Sequence, residues 1–195
     1  MLNGKRINSP IGESTRPTTA IVREAIINIL KGKIHNSNWL DLYSGSGIIG
    51  CEAIEHGANS VLAIEANRKT FKTCASNLNK IASSSQGKAI VKSINTDVSK
   101  FLKYGLKKYL EKTLQKNVPF NYGFEYVYLD PPYKELNYTS ILNELLLGNW
   151  VMKESLVIYE FSKEGKKINI PDNWSIKYQK AYGKTGLLFL TPNLA

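Results

Sequence analysis

Apolar residues recur at helical spacing in "TTAIVREAIINILKG", where Ile21, Ala25 and Ile29 form one stripe with Val22, Ile26 and Leu30 beside it. Thr18 or Thr19 can cap the start of this helix, and Gly32 follows its end. From there, short apolar runs alternate with helical patterns. "WLDLY" reads as a strand, "IIGCEAIEHG" as a helix closed by Gly57, "SVLAIEA" as a strand and "RKTFKTCASNLNKI" as a helix. "AIVKSI" is a third strand, and a long helical stretch is expected from about Val98 to Gln115. "EYVYLD" is a strand and "YTSILNELLLGN" a helix, and "SLVIYEF", "WSIKYQKAY" and "TGLLFLTP" read as three closing strands, the last two joined near Gly183. Such alternation predicts an α/β fold, a mostly parallel central sheet with helices on both faces and an antiparallel hairpin added at the C-terminal edge. No repeat or extended linker interrupts it, and "SSSQG" at Ser83–Gly87 reads as a surface loop. One domain over 1–195 is expected, with residues 1–17 a short, polar N-terminal extension.

Bulk properties narrow the class. A chain of 195 residues with 43% hydrophobic content suits a globular protein with one full core. No stretch approaches the ~20 consecutive apolar residues that span a bilayer. "MLNGKRINSP" has no apolar core of the kind a secretory signal carries, so the cytoplasm is the expected compartment. The cysteines, Cys51 and Cys74, form no C-x-x-C pair, and His35 and His56 add no metal-ligand spacing. Cys51 sits in an apolar helix pattern as a reduced core thiol, and no metal is expected. The net charge of +10 favours a polyanionic partner, for which a phosphate backbone is the commonest source.

Two motifs carry candidate chemistry. In "DLYSGSGIIG", Gly45, Gly47 and Gly50 satisfy G-x-G-x-x-G between a strand and a helix. Such a turn brings backbone close to a ligand, and the helix start offers unpaired N–H groups. Glu65, at the end of the second strand, can accept hydrogen bonds from ribose hydroxyls. A nicotinamide dinucleotide and S-adenosylmethionine both contain a ribose, so spacing and Glu65 leave both open. Asp41, four residues before Gly45, favours the second, because a carboxylate suits its ammonium and sulfonium and does nothing for a pyrophosphate. The other motif is "YVYLDPPYKE". Its two prolines fix φ and remove two N–H donors, leaving a stiff turn that presents carbonyls at a strand end. Asp130 and the carbonyl of Pro131 can accept both hydrogens of an amine on an aromatic ring, and Tyr133 can stack on that ring. That arrangement suits methylation of an exocyclic amine.

On "RPTTAIVREAIINIL", "LDLYSGSGIIGCEAIEHGA", "VLAIEANRKTFKTCASNL" and "YVYLDPPY", with "YGKTGLLFL" near the end, the chain resembles the bacterial small-subunit (16S) ribosomal RNA guanine-N2 methyltransferases. These are S-adenosylmethionine-dependent enzymes with a Rossmann-like fold. The resemblance runs over most of the chain from Arg16 onward. It implies that Asp41, Ser44, Gly45 and Gly47 line the methionine end of the cofactor, that Glu65 holds the ribose with Ala66 beside it, and that Asp97 faces the adenine amine. It implies that Asp130, Pro131, Pro132 and Tyr133 hold a guanine, and that Arg16, Pro17, Thr18 and Thr19 form a flap over cofactor or target base. The implied partner is ribosomal RNA or the small ribosomal subunit, approached by a monomer. A related enzyme acting on adenine N6 in DNA or RNA, or a noncatalytic RNA-binding scaffold, are the rival readings.

The chain departs from the family pattern in places. Ala20 and Ile21 stand where the family usually has Asp and Arg, and the N-terminal hairpin looks shortened to "LNGKRI". The segment "FLKYGLKKYLEKTLQKNVPFNYGFEY" is longer than expected before the fourth strand. Its Lys103, Lys107, Lys108, Lys112 and Lys116 form either a cationic face toward RNA or a solvated amphipathic face.

Overall fold

In the computed structural model the described residues are 7–9, 18–85, 89–113, 122–132, 138–164 and 168–194. They divide into two compact units, Met1–Asp97 and Val98–Ala195.

The first unit contains α1 (Ala20–Ile29), β1 (Asn38–Leu42), α2 (Ile48–Glu55), β2 (Ser60–Glu65), α3 (Arg68–Ser84) and β3 (Ile90–Asn95). Its strands are all parallel: β2 is central, with β1 and β3 on either side, pairing Asp41 with Ala63 and Glu65 with Asn95. β1 is buried along its whole length, as a parallel strand covered on both faces must be, whereas β3 is half exposed. That is why "WLDL" is almost uniformly apolar. The Asn38 carboxamide accepts a 2.7 Å hydrogen bond from Ser60, so the polar start of the strand is satisfied within the sheet. Helix α1 begins at the expected cap: the Thr19 hydroxyl accepts from the Val22 N–H. Arg23 then joins α1 to α2 through a 3.1 Å ion pair with Glu52 and also donates to the Thr18 carbonyl.

The second unit contains α4 (Val98–Leu102), α5 (Leu106–Thr113), β4 (Phe124–Leu129), α6 (Tyr138–Leu147), β5 (Val151–Ser162), β6 (Trp174–Tyr182) and β7 (Thr185–Pro192). β4 and β5 are parallel, whereas β7 runs antiparallel between β5 and β6. The predicted antiparallel closing pair is thus present, and β7 is its inner member. This explains the contrast between "TGLLFL", buried throughout, and the exposed β6.

The long helix expected from Val98 to Gln115 is a correction. Within the described residues it is two helices, broken at Gly105, whose φ of 71° cannot continue α4. The break is held by tertiary contacts. The Trp150 indole donates to the Leu102 carbonyl at 2.9 Å, and the Leu106 N–H donates to the Gly148 carbonyl at 2.8 Å. Trp150 packs against Phe101, Tyr109 and Phe124, with ring centroids 4.6, 5.9 and 6.4 Å away. Amphipathic periodicity carries no trace of such a break, because both helices bury the same face on one aromatic cluster.

Candidate active site

The glycine-rich turn follows β1 directly. Tyr43, Gly45 and Gly47 all take positive φ (58°, 54° and 75°), folding the chain tightly between Leu42 and α2. Backbone bonds brace it: the Ser44 N–H donates to the Ile64 carbonyl at 3.0 Å, and the Gly47 N–H to the Ser44 carbonyl at 2.7 Å. The glycines differ in what they do. A Cβ on Gly45 would meet nothing closer than 3.9 Å, so that position is open to a ligand. A Cβ on Gly47 would lie 2.8 Å from the Cys74 sulfur, so that position lets α2 close against α3. Gly47→Ala therefore combines an overpacked contact with a left-handed backbone. It should lower unfolding stability by about 2–4 kcal/mol, read as a lower urea midpoint at unchanged m.

Asp41 lies in the middle of this unit and is only 1% exposed. Neither carboxylate oxygen has a hydrogen-bond partner. Burial raises its pKa to about 7; the nearby Gly50 N–H eases the charged form without bonding geometry, and the Glu65 charge raises the pKa further. A buried, unpartnered carboxylate beneath an open glycine turn is costly unless a ligand completes it. A cationic group would do so, whereas a pyrophosphate would meet repulsion.

Glu65 does more than stand at the end of β2. Its two carboxylate oxygens accept from the Gly45 N–H at 2.9 Å and the Asn67 N–H at 2.8 Å. Each oxygen keeps a further lone pair for a hydroxyl. Glu65 thus positions the turn. Asn67 caps α3 through the Lys69 and Thr70 N–H groups. Asn95 donates to the carbonyls of Glu65 and Ala66, both at 2.8 Å, and fixes the backbone on which Ala66 sits. Asp97 follows β3 and is half-buried. Ser44 is buried with its hydroxyl against the Cys74 sulfur at 3.4 Å, and burial pushes the Cys74 thiol up to about 12. Both cysteines are buried and free, in keeping with a reduced core thiol at Cys51.

Asn77 was not singled out by sequence. Fully buried on α3, it donates to the carbonyls of Asn8 and Ser46, both at 2.9 Å, and accepts from the Asn8 N–H at 3.0 Å. It ties the N-terminal stretch to the glycine turn. An Asn on the apolar face of an amphipathic helix was the available signal.

In the second unit Asp130 stands immediately after β4, half-buried, followed by buried Pro131 and exposed Pro132. Two further groups reach this strand end. Tyr159, paired in register with Leu129, stacks on Tyr138 at 5.4 Å between ring centroids. Its phenol is pushed up to about 12, mainly by burial, then by Tyr138 and by the Asp130 charge. One residue on, buried Glu160 accepts a short hydrogen bond from Tyr128. "SLVIYEF" held both as the end of a parallel strand, where ligands collect. Of the expected site residues, Arg16, Pro17 and Tyr133 lie outside the described residues. Thr18 and Thr19 lie at the start of α1, where the Thr19 hydroxyl serves as its cap. A cavity of about 190 Å³ lined by Ile27, Lys31, His35 and His56 includes none of these residues.

Comparison with known proteins decides the family. The model of the family described as Conserved hypothetical protein 95 matches residues 1–191. This chain belongs to that family. Within Conserved hypothetical protein 95 it is similar to the ribosomal RNA small subunit methyltransferase D of Escherichia coli K12, being 30% identical over 181 residues that cover 93% of this chain and 81% of the relative. Among solved structures it is similar to the Escherichia coli methyltransferase yhhF, with a TM-score of 0.74 and 25% identity over 94% of this chain and 91% of that one. An RNA methyltransferase from Salinibacter ruber, solved with S-adenosyl-L-homocysteine, shares the fold at a TM-score of 0.61 and 13% identity, over 92% of this chain and 96% of that one. The family resemblance read from the sequence is borne out, and so is the mostly parallel α/β class with its antiparallel C-terminal pair.

Proposed function

We propose that this chain transfers the methyl group of S-adenosylmethionine to the N2 amine of a guanine in 16S ribosomal RNA, acting as one catalytic domain. Membership of a family whose relatives are named small-subunit ribosomal RNA methyltransferases supports the cofactor and the RNA class. The observation that carries the chemistry is Asp41, a buried carboxylate with no partner beneath an open glycine turn.

When bound, the cofactor supplies a methyl group activated on a positively charged sulfur. Asp41 and the turn at Ser44, Gly45 and Gly47 hold its charged end, Glu65 accepts from the ribose hydroxyls beside Ala66, and Asp97 accepts from the adenine amine. On the substrate side Asp130 and the Pro131 carbonyl each take one hydrogen of the guanine amine. These bonds draw the nitrogen lone pair out of the ring, and Tyr133 holds the ring flat. Thr18, Thr19 and Arg16 act as a flap. No strong base is required, since the nitrogen turns acidic only as it gains the methyl group. Orientation provides most of the rate.

The test is incubation with methyl-labelled S-adenosylmethionine and unmodified 16S RNA or small subunits, followed by nucleoside analysis. N2-methylguanosine is the expected product. N6-methyladenosine would replace the substrate half of this proposal, and cofactor binding with no transfer to any RNA would leave a scaffold.

A further inference from the structure

We propose that the turn between α4 and α5 and the outer face of α5 form a docking platform for a single-stranded segment of the RNA substrate, with Tyr104 as its stacking surface. This rests on the RNA-methyltransferase reading and adds to it a place of contact.

Tyr104 is 45% exposed although it is a large aromatic residue. Two ammonium groups gather on its ring: Lys112 lies 5.1 Å and Lys108 5.8 Å from the ring centroid. Spacing of four residues from Tyr104 to Lys108 and again to Lys112 puts all three on one stripe. Lys103 and Lys107 are exposed on the same segment, where Glu111 is the one acidic residue between Val98 and Thr113. Among the described residues none of these four lysines forms an ion pair with a carboxylate.

The patch is also stiff. Its inner face is fixed by Leu106, Tyr109 and the Trp150 cluster, and the Gly105 break sets the angle at which the outer face leaves. Like charges gathered on one ring repel each other, and an exposed ring is poorly solvated. A nucleic-acid strand relieves both, because phosphates neutralise the lysines and a base covers the ring. Cations flanking an aromatic platform are what sequence-tolerant single-strand binding requires.

The test uses the whole chain and a fluorescently labelled single-stranded oligoribonucleotide of mixed sequence, with cofactor binding followed by calorimetry in parallel. Lys108→Glu with Lys112→Glu should weaken oligonucleotide binding about tenfold or more and make the slope of log affinity against log salt shallower by about 1. Tyr104→Ala should weaken binding about tenfold, while Tyr104→Phe keeps the stacking face and should bind like wild type. Lys177→Glu with Lys180→Glu, on exposed β6, changes the net charge equally and should have a much smaller effect. With ribosomal RNA as substrate the α5 variants should raise KM and leave kcat and cofactor affinity unchanged. Unchanged binding in the α5 variants, or an equal loss in the β6 control, overturns the platform while leaving the enzymatic reading intact. Failure of the wild-type protein to bind or methylate any RNA removes that reading and the platform with it.

Discussion

Asp130→Ala should lower kcat for methyl transfer by about 10²- to 10⁴-fold while leaving the affinity for S-adenosylmethionine within about twofold of wild type. Asp130 stands at the end of β4, in the unit that does not contain the glycine turn, so its loss should leave Asp41, Gly45 and Glu65 as they are. Without the carboxylate, one amine hydrogen loses its acceptor and the lone pair stays delocalised into the ring. The Pro131 carbonyl alone cannot orient the nitrogen. Asp130→Asn keeps an acceptor oxygen and should retain intermediate activity, which separates hydrogen bonding from charge. Single-turnover transfer with cofactor saturating reads the step directly. Wild-type rates in Asp130→Ala would remove the proline turn from the chemistry.

Ionisation of Asp41 should make the ligand-free protein less stable as the pH rises from about 4 to about 7. The carboxyl titrates at its ordinary 3.8 in the unfolded chain and at about 7 in the folded protein. Between those values the folded state keeps a proton that the unfolded chain has released, so raising the pH favours unfolding. Above the folded pKa the full difference of about 4 kcal/mol has been lost. The groups facing Asp41 are Glu65, Cys51 and Cys74; Glu65 raises its pKa further, and neither buried thiol supplies a positive charge. Urea unfolding at about pH 5 and about pH 8 should show wild type losing stability relative to Asp41→Asn across that window. Asp41→Asn should be the more stable protein at the higher pH. It should also bind S-adenosylmethionine about 10- to 100-fold more weakly there, since a neutral amide cannot pair with the ligand's positive charge. Wild-type binding should strengthen as the pH rises through 7 and release a proton below it, seen as a buffer-dependent calorimetric heat. A pH profile that Asp41→Asn leaves unchanged would show that the buried carboxylate is not the group being titrated.

Much of the candidate site could be read along the chain because it consists of local devices. A glycine turn after an apolar strand, an acid at the next strand end and a double proline after another are written in contiguous residues. Structural couplings between those devices were not. Glu65 bonding to the Gly45 N–H joins residues twenty apart, and Asn77 reaching Ser46 and Asn8 joins a helix, a turn and the N-terminal stretch. Tyr159 and Glu160 were visible as part of a strand, but their nearness to Asp130 follows from the parallel register of β4 and β5.

By itself the sequence determined the order and type of nearly every described element, the mostly parallel class, the family and the two chemical motifs. These depend on hydrophobic period, caps and turns, which act over a few residues. Tertiary structure alone decided that the long helix breaks at Gly105, because the Trp150 cluster must receive two helices at an angle. It decided that β7 is the inner strand of the closing pair, which pairing order sets. It also decided that Asp41 is buried without a partner, since the cost of a charge depends on everything packed around it.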